Sequence, residues 1–403
     1  MKRALDLYLS SFKGLSRPTW MLAAVILVNR TGAMVLPFLG IYITNVLGFS
    51  LKEAGIILSF YGFGAVIGSA AGGWLTDKFG HFRVQTFSLF MAVPVFILLT
   101  YLKGKFILSG GIFLLSLITE IFRPANSVSI NTYEKKENIT RAFSLNRMAL
   151  NLGFSIGPAL GGFLAAISYK LLFYGNGFTS FMAGIIFYIF FKKVHRKKKI
   201  NVHEIAPGKR LQKSDSPWRD KYFIIFCIIC CAYSLFFFQL LSTLPLYYKE
   251  ICKLNDWHVG LLLGFNGIVV FFLEMLLVSV AERRFSTNKI IFTGAIICAL
   301  SFLVLLAGKG LFVLYLGVFL LSVSEILSMP FIATVAIQRA TKEREGSYMG
   351  VNGLAFSSAF ILSPIIGTFV AAHFGYPALW FTSAISLVLI AVGFHWVCGK
   401  MKR

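Results

Sequence analysis

Charge is scarce in this sequence: only 14% of its 403 residues are Asp, Glu, Lys or Arg. Soluble domains carry about a quarter, so an ordinary water-soluble fold is excluded. Acids are the scarcer sign, 16 against 39 basic residues. Histidine is also sparse, with six copies, of which only His258, His373 and His395 fall near apolar runs. No Ser-His-Asp grouping and no HExxH pattern is present, so an enzyme is not expected. The six cysteines lack metal-site spacing, most sit inside apolar stretches, and they read as small apolar helix residues. No cofactor and no metal are expected. No polar stretch is long enough for a folded soluble domain, which argues against a sensor: the longest, Lys192–Arg219, has 28 residues. No cleavable leader is expected either, because the first apolar run is too long and others follow at once.

What is present is apolar bulk: 57% hydrophobic residues, with 42 phenylalanines. A span needs about 20 mostly apolar residues to cross a hydrocarbon core of ~30 Å. Twelve such runs are expected, at approximately 19–47, 51–75, 83–102, 105–131, 141–168, 171–191, 220–249, 256–281, 288–307, 310–337, 345–372 and 376–398. Helices satisfy every backbone group inside lipid, so all twelve are read as helical. With both termini on one side, 29 of the 39 basic residues lie there and seven on the other. The positive-inside rule then places both termini in the cytoplasm of a bacterial cell, with the chain multi-pass in its inner (plasma) membrane. The net charge of +23 is therefore a topological signal, and no nucleic-acid partner is expected. The basic stretch between spans six and seven touches anionic headgroups only incidentally, and Met1–Thr19 reads as a short helix on the cytoplasmic surface.

The two halves resemble each other at an offset of 206: Pro124 pairs with Pro330, Asn146 with Asn352, Pro158 with Pro364 and Gly161 with Gly367. One position out of step, Glu120 answers to Glu325, and Asp77-Lys78 to Glu282-Arg283. The expected architecture is an all-α polytopic membrane protein of twelve transmembrane helices. They form two pseudo-symmetric six-helix bundles around a central cavity. The boundaries are 1–191 for the first bundle, 192–219 for the basic cytoplasmic linker and 220–403 for the second bundle.

The loop after span two reads Gly73-Trp-Leu-Thr-Asp77-Lys78-Phe-Gly80-His81-Phe82-Arg83, and span five holds Gly153-x-x-x-Gly157-Pro158-x-x-Gly161-Gly162. The first resembles the signature loop of the major facilitator superfamily. The second matches that superfamily's antiporter motif. Glu325 to Pro330, followed by Gly346-Ser-Tyr-Met-Gly350, is similar to its drug–proton antiporter branch. Three departures stand out. His81 and Phe82 replace a basic pair, Glu120 and Arg123 stand in place of the span-four arginine motif, and Arg30 lies where many drug exporters carry an acid. The resemblance implies that Gly73, Asp77, Gly80 and Arg83 gate one conformation. A carboxylate at such a loop can cap a neighbouring helix and meet a cation. Gly73 would allow close approach and Gly80 a tight turn. The span-five glycines suit tight helix packing, and Pro158 a bend.

Charges inside spans cost at least ~2.5–3.5 kcal/mol each on insertion scales, so each needs a partner or a wet cavity. Arg30 falls near the middle of span one beside Asn29, and Glu120 and Arg123 lie on one face of span four. Glu325 is the counterpart of Glu120 in span ten, and Glu274 lies in span eight with Asn266 two turns earlier. A carboxylate that alternates between wet and dry surroundings can load and release a proton. Glu325 is therefore first choice for proton coupling, Glu274 second and Glu120 third. Asn29, Arg30, Glu120, Arg123 and Glu325 are expected to line the substrate cavity. The simpler alternative is that Glu120 and an arginine merely hold helices together. Two functions fit: proton-coupled efflux of small amphipathic compounds by alternating access, or carriage of an anionic or zwitterionic metabolite drawn by the arginines. The partners expected are a small-molecule substrate, protons and membrane lipids, and the expected state is a monomer.

Overall fold

A computed structural model describes residues 8–202 and 216–401. Lys2 and Arg3 of the N-terminal segment, and residues 203–215 of the basic linker, lie outside the described residues. Among the described residues all regular structure is helical. In order these are α1 (Arg17–Thr31), α2 (Val35–Ile41), α3 (Leu51–Phe79), α4 (His81–Leu99), α5 (Lys105–Tyr133), α6 (Ile139–Ile167) and α7 (Tyr169–Val202). There follow α8 (Lys221–Phe237), α9 (Thr243–Glu250), α10 (Asp256–Arg284), α11 (Thr287–Val304), α12 (Leu311–Arg339) and α13 (Glu345–Met401). Eleven helical stretches among the described residues are long and apolar enough to cross a membrane, counting α1 with α2 and α8 with α9. The last, α13, runs for 57 residues but is interrupted at Gly375, whose φ of 81° is left-handed. Where the sequence suggested a linker from Lys192, α7 continues helically to Val202.

The helix ends obey capping chemistry. Ser50 and Glu53 form a reciprocal capping box at the start of α3, and Lys105 reaches Glu53 at 3.4 Å. The Ser16 hydroxyl accepts from the Thr19 amide at the start of α1. Buried Glu134, just past α5, accepts from the Ser16 amide and the Thr19 hydroxyl, each at 2.8 Å. Asp220 caps α8 by accepting from the Phe223 amide, and receives Arg339 from the end of α12 at 2.7 Å. Arg339 also donates to the Met401 carbonyl at the end of α13.

The chain divides into two compact units. One contains Leu15–Pro217 and also Ala340–Leu354, while the other is built on Trp218–Arg339 and Ala355–Arg403. In the first, glycines at four-residue spacing bring α3 onto α5. A Cβ on Gly64, Gly68 or Gly72 would lie 2.5–2.7 Å from backbone atoms of Phe113, Leu117 and Ile121. Lipid offers no hydrophobic drive between helices, so such backbone proximity is what holds them together. An apolar cluster including Met34, Leu39, Phe96, Ile112 and Phe173 fills the same unit. In the second, Phe302 stacks on Trp380 at 5.5 Å and Phe226 meets Phe394 edge-on at 5.9 Å.

Candidate functional site

The first membrane helix of each unit is broken, and at the same place. In the first unit α1 stops at Thr31 and α2 begins at Val35. In the second α8 stops at Phe237 and α9 begins at Thr243, with a short tight turn between. The offset of 206 maps Thr31 onto Phe237. Pro37 and Pro245 each stand third in the segment after the break, where the missing N–H would have no intrahelical partner in any case. Each break is braced by a glycine from a later helix. A Cβ on Gly161 would press on Met34 and Phe38 at about 3.0–3.1 Å, and one on Gly367 would overlap the Thr243 hydroxyl. Interrupted helices at corresponding positions mark where transporters build their sites, because backbone polar groups are released there.

Arg30 sits one residue before the end of α1. Gly153 and Gly157 of α6 bear directly on it: a Cβ on Gly153 would meet the Arg30 Cβ at 2.5 Å, and one on Gly157 the Arg30 carbonyl at 3.1 Å. A Cβ on Gly162 would lie 3.8 Å from the Phe38 ring, an ordinary contact, and Pro158 lies within α6. The glycines of span five thus form the bed on which the Arg30 turn rests. The guanidinium lies 5.4 Å from the Phe154 ring, and its buried Nε makes no hydrogen bond among the described residues. Beside it is a cavity of about 50 Å³ lined by Asn29, Arg30, Tyr61, Thr119, Asn176 and Ser180 among others. That is room for a water or two and far below the ~300 Å³ of small-ligand pockets. Asn29 reaches Ser180 at 3.5 Å.

Glu120 is buried and ion-paired to Arg123 at 3.1 Å on its own helix, while Arg123 is exposed. Ser116 and Ser127 on the same face donate to the Tyr61 and Arg123 carbonyls. Arg30, Glu120, Arg123 and Tyr61 interact electrostatically as one set. One carboxylate faces two guanidiniums, so the set keeps one net positive charge.

In the second unit the buried charge-bearing side chains among the described residues are acids, Glu274 and Glu325. Glu325, buried in α12, accepts a hydrogen bond from the Asn266 amide at 3.2 Å, and Asn266 also donates to Ser322 at 2.9 Å. Asn266 therefore serves Glu325 rather than Glu274, the acid on its own helix. Glu274 is fully buried in α10. Next to Glu325, Ser324 pairs with the Tyr233 hydroxyl at 2.8 Å.

Asp77, near the end of α3, finds its partners 269 and 270 residues downstream. Its carboxylate accepts from the Gly346 amide at 2.7 Å, the Ser347 amide at 2.8 Å and the Ser347 hydroxyl. Those amides belong to the first turn of α13, which has no intrahelical acceptors of its own and carries the positive end of the helix dipole. The cation that attracts Asp77 electrostatically is Arg344, just ahead of α13. Arg83 is exposed and makes no hydrogen bond or ion pair among the described residues. Gly73 provides the approach: a Cβ there would lie 2.5 Å from the Gly346 carbonyl and 3.0 Å from the Gly350 Cα. Ser69 donates to the Gly350 carbonyl, and Asn131 donates to Glu345 at 2.8 Å. Gly80 turns the chain between α3 and α4 at a φ of 84°. Sequence reasoning missed Ser69, Asn131, Arg344, Glu345 and Ser347 as members of this clasp. The four-residue spacing of Ser69-Gly73-Asp77 against Gly346-Gly350 was the available signal.

A family model described as the Major Facilitator Superfamily matches residues 21–361 and, in a second match, 258–399. An uncharacterised transporter of that type from Bacillus subtilis (strain 168), YttB, is 27% identical over 378 residues, 91% of each chain. The multi-drug resistance efflux pump PmrA homolog of Lactococcus lactis subsp. lactis (strain IL1403) is 28% identical over 187 residues, 45% of each chain. In fold, the chain is similar to a bacterial homologue of the iron transporter ferroportin in its outward-facing state. The TM-score is 0.74 at 16% identity, covering 95% of this chain and all of that one.

Proposed function

The chain belongs to the major facilitator superfamily, a family of membrane transporters rather than enzymes, and from this premise we propose that it exports small amphipathic compounds in exchange for protons. It is multi-pass. We read α13 as two crossings, because an unbroken helix of 57 residues would be ~85 Å long against a core of ~30 Å. The count is then twelve, in halves 1–191 and 220–403 joined by the basic linker 192–219. On this reading the protein is a monomer in the plasma membrane, both termini cytoplasmic. The efflux reading draws on the name of the Lactococcus relative.

The observation that carries proton exchange is the pair of buried carboxylates Glu325 and Glu274 in a unit whose α12 lacks an arginine near Glu325. Glu325 accepts a hydrogen bond from the Asn266 amide of α10. A carboxylate so placed can exchange a proton when the surroundings of α12 change. Glu120 is ranked last because Arg123 already balances it. Each cycle would form and break the Asp77 clasp, with Gly73 and Gly80 giving it shape; Arg83 would join only in another conformation. The test is transport in vesicles under an imposed pH gradient. Glu325→Gln should abolish gradient-driven movement and spare substrate exchange; undiminished gradient-driven movement would overturn the assignment.

Arg30 favours a second reading, carriage of an anionic or zwitterionic metabolite. Its guanidinium has no carboxylate of its own, and the first unit keeps a net positive charge beside Asn29. Arg30→Gln and Arg123→Gln separate the two: an anion carrier loses substrate binding, an exporter of lipophilic cations does not.

A further inference from the structure

A groove of about 550 Å³ opens on the second unit between the end of α10, the start of α11, α12 and the last part of α13. Its walls are almost wholly apolar, with Phe285, Ile290, Phe292 and Leu327 contributing. Two ionisable groups line it, Lys289 and His395, and the His395 ring meets the Phe292 ring edge-on at 5.9 Å. Lys289 is the third residue of α11, at the edge of the apolar zone, and it is exposed. Arg283 and Arg284, also exposed, close the last turn of α10 just before Phe285. Only Glu282 opposes these three cations on the segment from Ala281 to Lys289.

The depth of the groove fixes what can fill it. Leu327 lies twelve residues before the end of α12 at Arg339, which is the end that shares a side with the start of α11. Leu327 packs level with Gly294 of α11, five residues beyond Lys289, so at 1.5 Å per residue the groove runs roughly 8 Å inwards from Lys289. A cleft with apolar walls and a lysine at its mouth matches the headgroup end of one lipid molecule, with the upper part of an acyl chain inside. The charge chooses among lipids: near a membrane surface each basic residue contributes ~1 kcal/mol towards an anionic headgroup. We propose that this groove is a site for an anionic phospholipid, with an acyl chain along Phe285, Phe292 and Leu327 and the phosphodiester at Lys289. It is independent of the substrate and of proton coupling, because none of its residues belongs to either.

The test uses the purified full-length chain in detergent, with thermal unfolding followed during titration of phosphatidylglycerol, phosphatidylcholine with the same acyl chains, or inorganic phosphate. Phosphatidylglycerol should stabilise at lower concentration than phosphatidylcholine, and phosphate alone should not stabilise. Lys289→Gln should raise the half-saturating phosphatidylglycerol concentration about fivefold, the equivalent of one lost surface charge, and leave the phosphatidylcholine titration unchanged. Thr293→Trp, which fills the groove, should abolish stabilisation by both lipids. Equal titrations for the two lipids, an unchanged phosphatidylglycerol titration in Lys289→Gln, or stabilisation by phosphate alone would each overturn the proposal.

Discussion

Replacing Asp77 by Asn isolates the clasp between α3 and the start of α13. The carboxylate accepts two backbone amides and one hydroxyl, all at one end of a helix whose dipole adds to the attraction. Asparagine keeps one acceptor oxygen and presents an NH₂ where the second stood. It can still receive the Gly346 amide, and its NH₂ can donate to the Ser347 hydroxyl oxygen, but it loses the Ser347 amide and the charge. A hydrogen bond to an ionised group contributes about 1.5–3 kcal/mol and the dipole up to ~1 kcal/mol at a half-exposed site. Since the three bonds share one carboxylate and are not additive, the expected loss is about 3 kcal/mol. That is on the order of a hundredfold shift in the equilibrium for releasing Ala340–Leu354 from the first unit. Hydrogen exchange by mass spectrometry on peptides covering this stretch reads the shift directly. The amides of Gly346 and Ser347 should lose about two orders of magnitude of protection, and Ser347→Ala only about tenfold, from one lost bond to an ionised group of ~1.5 kcal/mol. Protection undiminished in Asp77→Asn, with the protein folded, would refute the reasoning.

Other outcomes follow from individual contacts. Gly153→Leu should overlap the Arg30 turn by more than 1 Å, since even a Cβ would lie 2.5 Å from that of Arg30; a thermal midpoint lowered by several degrees while Gly162→Ala stays near wild type would check this. Gly80→Ala must hold a φ of 84° with a ψ of 147°, a combination almost confined to glycine, and should cost about 1–3 kcal/mol, read as the same loss in thermal or denaturant stability in detergent. Asn266→Ala should weaken gradient-driven transport more than substrate exchange, because it removes the hydrogen bond that holds Glu325 against α10; an equal loss of both would point to packing alone. Glu134→Gln should loosen the start of α1, where two donors converge on one carboxylate, and raise exchange at Ser16–Thr19 several-fold.

Much of the fold is legible in composition because lipid leaves the backbone one economical choice. Runs of about 20 apolar residues between basic loops read as helices, and the helices of the structure follow them, with the last two runs falling in the single stretch α13. The breaks after Thr31 and Phe237 were not read, since apolar composition is continuous through both; only Pro37 and Pro245, placed in the first turns that follow, hint at a restart. At the site, individual residues were legible but pairings were not. Asp77 could be seen as a cap without a helix to cap, because its helix begins 268 residues later at Glu345. Asn266 was grouped with Glu274 on the same helix, whereas the structure points its amide across to Glu325 on α12. A side chain's partner depends on which helices adjoin, and helix adjacency leaves almost no trace in a hydrophobic pattern.

The twin breaks in α1 and α8 bear on how such a chain came to be. An internal repeat gives both halves the same backbone plan, and the matching interruptions, each braced by a glycine at the same offset, follow that plan. The side chains beside them have since parted company: where the first copy holds Arg30, the second holds Phe236. Architecture has been kept in duplicate while electrical character has been written once per copy. An engineer could therefore treat the two breaks as interchangeable sockets. Moving the arginine from one to the other would shift a charge between the two breaks, at the insertion cost that every charge inside a span carries.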